Sequence, residues 1–175
     1  PYAIQWSTNT VAARTLEKLG YGASFSFMEN NLGFDLADAD MALSPLSMGG
    51  LTYGVTTEEM AAAFGAFANS GIYTYPRTIT KILDNDGNVV ADNTSRSQVA
   101  MKETTAYLMN KMLRSVVSGG TGGSASFSGM TIAGKTGTTN DNFDRYFVGY
   151  TPYYSAAVWV GYAQSLSLIH ISEPT

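Results

Sequence analysis

The sequence contains no cysteine, which excludes disulfides and thiolate metal sites. No apolar run approaches the roughly 20 residues that a membrane-spanning helix requires, and no signal peptide opens the chain. Because the first residue is Pro1, any membrane attachment is expected through a missing segment before it. Basic residues are scarce: Lys and Arg number 10 against 14 Asp and Glu, a formal net charge of −4. With no basic stripe, nucleic acid is not an expected partner. Charge is low altogether, at 14%, while apolar residues reach 45%. That balance belongs to a packed globular chain and excludes a disordered tail. A length of 175 residues fits one domain or a large piece of one.

The patterning that remains predicts helices first and strands afterwards. Ala12, Leu16 and Leu19 recur at helical spacing over Thr10 to Leu19, with Gly20 as a stop. From Gly20 to Tyr53 the abundance of Gly, Asn and Asp predicts loops. Thr56 followed by Glu59 forms a capping box ahead of an apolar stripe of Met60, Ala63, Phe64 and Phe67, ended by Asn69-Ser70-Gly71. A hairpin is expected from Thr78 to Val90 around Asn85-Asp86-Gly87. A third helix spans about Lys102 to Val117. After a Gly/Ser-rich loop, strands are predicted over Met130 to Thr139, Arg145 to Tyr150 and Ser155 to Tyr162, with Thr151-Pro152 at the last turn. The expected fold class is α+β, an antiparallel β-sheet flanked by helices.

The last ten residues, Leu166 to Thr175, resemble the translation of a transposase adapter used in preparing sequencing libraries. They are expected to be a foreign tail, which leaves 1–165 as the protein's own. His170, the single histidine, lies in that tail and receives no catalytic role, so a Ser-His-Asp triad is not expected.

Gly134-Lys135-Thr136-Gly137-Thr138-Thr139 carries the most chemical information. With Gly129 it satisfies a formal P-loop pattern, G-x-x-x-x-G-K-T. A P-loop, however, needs a strand before the first Gly and a helix springing from the Lys-Thr. Here the first Gly closes a loop, and Asn140-Asp141-Asn142 makes a poor helix start. Read as a strand, the segment offers the positive charge of Lys135 and the hydroxyls of Thr136 and Thr138, a set suited to a carboxylate. Gly137 lets another backbone lie close, so an extended peptide could add to this strand. A solvated lysine beside a turn is the plainer alternative.

Ser7-Thr8-Asn9, read alone, is a helix N-cap. A Ser-x-Asn followed later by a Lys-Thr-Gly also belongs, with an earlier Ser-x-x-Lys, to the motif set of penicillin-binding proteins and class A β-lactamases. The flanking residues extend that likeness. Ser7-Thr-Asn-Thr-Val-Ala-Ala-Arg, Gly54-Val-Thr-Thr-Glu-Glu-Met-Ala, Phe67-Ala-Asn-Ser-Gly71, Ala133-Gly-Lys-Thr-Gly-Thr-Thr139 and Phe147-Val-Gly-Tyr-Thr-Pro152 together resemble the C-terminal part of the transpeptidase domain of class A penicillin-binding proteins.

The resemblance implies a serine acyltransferase at the extracytoplasmic face of the bacterial membrane. Its partners would be the D-Ala-D-Ala stem peptide of peptidoglycan and β-lactam inhibitors; no metal or cofactor is implied. Ser7 would match the proton-shuttling hydroxyl, and Asn9 the amide that orients substrate. Lys135, Thr136 and Thr138 would match the residues gripping the terminal carboxylate, and the Thr138 N–H half of an oxyanion hole. The chain departs from the family in one respect. No serine stands three residues before a lysine; Thr15-x-x-Lys18 and Thr78-x-x-Lys81 come nearest. The nucleophile is therefore expected before Pro1, and the chain by itself is expected to be inactive. A β-lactamase, a carboxypeptidase or a penicillin-recognising sensor would share the same motifs.

Overall fold

A computed structural model describes residues 1–139 and 142–162. In chain order it contains α1 (Tyr2–Gln5), α2 (Asn9–Leu19), α3 (Tyr21–Leu32), α4 (Leu43–Met48), α5 (Thr57–Ala68), β1 (Ile72–Thr74), β2 (Lys81–Leu83), β3 (Val89–Asp92), β4 (Ser97–Val99), α6 (Glu103–Gly119), β5 (Ala133–Thr138), β6 (Asp144–Tyr150) and β7 (Ser155–Gly161). The mixed α+β class agrees with expectation. The proposed foreign tail and His170 fall outside the described residues.

The stretch expected to be loops is the main correction. Gly22, Ser24, Ser26, Asn30 and Asn31 are poor helix formers, yet α3 runs through all of them. Phe25, Met28 and Leu32 stand at helical spacing and pack into one apolar cluster with Phe34, Leu36, Ala63, Ala66, Tyr73 and Ala100. Tertiary burial thus overrides local propensity. Gly33, at φ 70, ends the helix, and the Phe34 N–H donates back to Met28 O, a left-handed C-terminal cap. Beyond it, Asp40 is only 1% exposed. Its carboxylate accepts from Thr52 N (2.8 Å), Thr52 Oγ1 (2.6 Å) and Ala37 N (3.2 Å), which ties both ends of the 37–52 segment together.

α5 opens with the anticipated capping box: Glu59 N–H donates to Thr56 Oγ1 at 3.1 Å, and Thr56 N–H to Glu59 Oε2 at 2.7 Å. Its apolar face is divided. Met60, Ala63 and Ala66 join the Tyr73 cluster, while Phe64 and Phe67 pack with Leu113, Ala133, Tyr150 and Ile4.

β5, β6 and β7 form an antiparallel meander with Lys135 opposite Val148 and Val148 opposite Ala157. α6 lies against β5, and α5 against β6 and β7. The first strand begins at Ala133 rather than Met130. Ala133 pairs with Tyr150, the last residue of β6, and Thr151-Pro152 turns away, so among the described residues Met130 to Ile132 have no partner strand. The expected hairpin is present as β2 and β3, paired from Lys81–Asp92 to Leu83–Val89. It is framed by an unanticipated pair, β1 with β4.

Candidate functional site

The site forms where the free edge of β5 meets the ends of α1 and α6. Among the described residues β5 pairs with β6 alone, leaving its other edge open. Lys135 Nζ donates to Ser7 Oγ at 2.8 Å and to the Thr136 carbonyl at 2.8 Å. The two segments singled out in the sequence, 128 residues apart along the chain, are therefore in direct contact. Lys135 is half-buried, and burial lowers its pKa from the ordinary lysine value, as desolvation does to any ammonium. Among the described residues no carboxylate lies within ion-pair distance of it; the one ion pair there is Lys81 with Asp92.

Ser7 occupies the short link between α1 and α2 with φ 55. A left-handed backbone is costly for a residue with a side chain and persists where surroundings impose it. Here they do. Ser7 N–H donates to Ile4 O and Thr8 N–H to Ala3 O, and Ile4 is packed against the Leu113–Tyr150 cluster. Gln5 adds a further tie, its Nε2 donating to Gly119 O at 3.0 Å. The N-cap reading of Ser7-Thr8-Asn9 holds in position only: Thr8 occupies the cap position but makes no capping side-chain bond, and Ser7 is bonded to Lys135. Asn9 is the exposed first residue of α2. Among the described residues no side-chain hydrogen bond joins it to Lys135.

Thr136 Oγ1 lies 2.8 Å from Thr121 Oγ1, a partner the sequence reading did not include. Thr138 ends β5 exposed, and Gly137 is exposed opposite Tyr146. The glycine that close packing requires is Gly134. A Cβ there would stand 2.7 Å from Val148 O and 2.8 Å from Phe147 Cζ. Gln5 and Thr121 escaped notice because neither lies on a periodic apolar pattern. The one available signal was a hydroxyl amid glycines, Gly119-Gly120-Thr121-Gly122-Gly123.

The nucleotide alternative is corrected by the same geometry. β5 continues through Lys135 and Thr136 to Thr138, so no helix N-terminus is available there for phosphate.

Comparison with known proteins agrees with this layout. The penicillin binding protein transpeptidase domain model matches residues 2–165. Penicillin-binding protein 1A of Streptococcus oralis is 41% identical over 186 residues, covering 96% of this chain and 29% of that protein. Penicillin-binding protein 4 of Bacillus subtilis is 40% identical, covering 91% of this chain and 25% of that protein. The chain thus spans less than a third of the length of these relatives. Among solved structures, penicillin-binding protein 1A from Haemophilus influenzae superposes with a TM-score of 0.76 at 19% identity, over 94% of this chain and 30% of that one. Penicillin-binding protein A from M. tuberculosis, solved as an imipenem acyl-enzyme complex, gives 0.75 at 20% identity, over 91% and 41%. At these identities the superpositions establish the fold.

Proposed function

The chain belongs to the penicillin-binding protein transpeptidase family, and we propose that its β5 edge binds the acyl donor of a peptidoglycan D,D-transpeptidase. In this proposal the terminal carboxylate of a D-Ala-D-Ala stem peptide approaches Lys135, Thr136 and Thr138, and β-lactams occupy the same place. The observation that carries it is the Lys135–Ser7 contact at 2.8 Å, at an ammonium with no carboxylate partner among the described residues. Such a cation and its flanking hydroxyls suit an anionic ligand.

The steps assigned to the chain's own residues follow from placement. Lys135 and Thr136 hold the donor's carboxylate. The Thr136 carbonyl already receives Lys135 Nζ. Alternate residues of an antiparallel strand present their backbone groups to the same side, so the Thr138 N–H faces the same open edge and can donate to a developing oxyanion. Ser7, bonded to Lys135, passes a proton toward the departing D-Ala amine as the carbonyl–nitrogen bond breaks. Asn9 would orient the substrate backbone. Gly137, with no side chain, lets the peptide lie against the strand. The serine nucleophile is assigned to a Ser-x-x-Lys outside these 175 residues, and the acyl group then passes to an amine of a neighbouring strand. The chain alone would therefore not turn over. The place of action is the extracytoplasmic side of the membrane, where the wall precursor is found. The imipenem acyl-enzyme of the similarly folded M. tuberculosis protein supports the choice of β-lactams.

The full-length gene product provides the test. Fluorescent penicillin should label it covalently, and Lys135→Ala should slow labelling about 10- to 100-fold, the range of a charge-assisted hydrogen bond. Undiminished labelling of Lys135→Ala would refute the assignment.

A further inference from the structure

Six residues close a circuit around the β5 edge. Ser7 is bonded to Lys135, and Lys135 precedes Thr136 in the strand. Thr136 is bonded to Thr121. Thr121 N–H donates to Gln5 O at 3.2 Å, and Gln5 leads through Trp6 back to Ser7. The Gln5 side chain locks the circuit with its bond to Gly119 O.

The turn that presents Thr121 is shaped by exclusion of side chains. Gly120 and Gly122 both donate their N–H to Val116 O, at 3.1 and 3.0 Å. A Cβ at Gly120 would collide with the Gln5 carbonyl, and one at Gly122 would stand 3.2 Å from Val116 Cγ1 and 3.5 Å from Phe147 Cε2. The close approach of Gly120 to the Gln5 carbonyl, with Gly122 tight against Val116, sets the turn that brings the Thr121 hydroxyl onto Thr136. A hydroxyl has one proton and two acceptor lone pairs and otherwise rotates to suit its surroundings. Bonded to Thr121, the Thr136 hydroxyl loses that freedom.

We infer that Thr121 is a positioning residue that presets the Thr136 hydroxyl toward the ligand's carboxylate. Accepting the Thr136 proton would point Thr136 away from an anion, so with ligand bound Thr121 donates to Thr136 and Thr136 donates to the carboxylate. Thr121 itself does not touch the ligand. Its role rests on the proposed carboxylate site, and the test separates the two.

In the full-length protein, second-order acylation rates are compared between a penicillin and its methyl ester, which has no anionic carboxylate. Thr121→Val keeps the side-chain volume but removes the hydroxyl. It should slow acylation by the free acid about 3- to 10-fold, the span of one neutral hydrogen bond. The ester rate should change less than about twofold, and Thr121→Ser should restore the free-acid rate. If Thr121→Val slows both substrates equally, or Thr121→Ser fails to rescue, the hydroxyl is merely structural and the inference falls. Lys135→Ala, run in parallel, separates the outcomes. Should it leave acylation by the free acid unchanged, the carboxylate site itself is wrong. Should it abolish discrimination between acid and ester while Thr121→Val does nothing, only the role of Thr121 is lost.

Discussion

The polar groups of the 37–59 segment and those along the β5 edge are used in opposite ways. In the first region each is occupied within the fold. Asp40 accepts three hydrogen bonds from Thr52 and Ala37, and Thr56 and Glu59 satisfy one another at the start of α5. In the second, Thr8 leaves its helix uncapped by a side chain, Ser7 accepts a strained backbone, and Thr138 ends its strand exposed. Polar groups are tied into local caps and turns in the one place, and exposed along an open strand edge in the other. That division is what a ligand site on a rigid scaffold requires.

The contrast is broken most severely by emptying the core. Tyr73 is 1% exposed and the largest fully buried side chain described. Its ring meets Tyr75 edge to face at a centroid distance of 5.0 Å. Tyr73→Ala should lower unfolding free energy by about 3–5 kcal/mol, as truncation of a large buried aromatic does, read as a fall in the urea midpoint. A loss below about 1 kcal/mol would mean the cluster is not the structural centre.

Helix capping gives a smaller and more discriminating comparison. Thr56→Ala removes a capping-box hydroxyl and should cost about 1 kcal/mol. Thr8→Ala occupies the same cap position on α2 but removes no capping bond, so it should stay within about 0.5 kcal/mol. Equal losses in the two urea midpoints would erase the distinction between the regions.

The two regions also differ in how legible they were. The candidate site stood out because its chemistry sits in short contiguous strings, Ser7-Thr8-Asn9 and Lys135 to Thr138, and the three C-terminal strands because short aromatic or β-branched runs are separated there by turn residues. Their meeting was expected from the family resemblance alone: nothing local states that residues 128 positions apart share a hydrogen bond. α3 was missed because Gly22, Asn30 and Asn31 speak against a helix. The spacing of Phe25, Met28 and Leu32 was present, but it acquires force only against Ala63, Tyr73 and Ala100, which are distant in sequence. Thr121 was missed for a related reason. Its placement depends on a turn whose constraint, the close approach of Gly120 to Gln5, exists only in three dimensions.

Titration provides the finest probe, because the regions answer to pH at opposite ends of the scale. The Thr52 hydroxyl, with help from backbone N–H groups, holds the Asp40 pKa below its ordinary value. The stabilisation this brings is present above the ordinary carboxylate range and is lost as pH falls through the folded-state pKa. Lys135 behaves differently. Burial lowers its pKa from 10.5, so between the folded value and 10.5 the unfolded chain binds more protons than the folded one, and stability rises with pH across that window. Lys135→Met removes the group responsible. Urea midpoints of the wild type and this variant, compared from neutral pH to pH ~11, should converge or cross in favour of the wild type as pH rises, with the variant relatively most stable at the neutral end. A difference that stays constant across the range would mean that Lys135 is no more desolvated in the fold than in the unfolded chain. The β5 edge would then carry an ordinary surface lysine rather than a cation kept partly dry for a ligand.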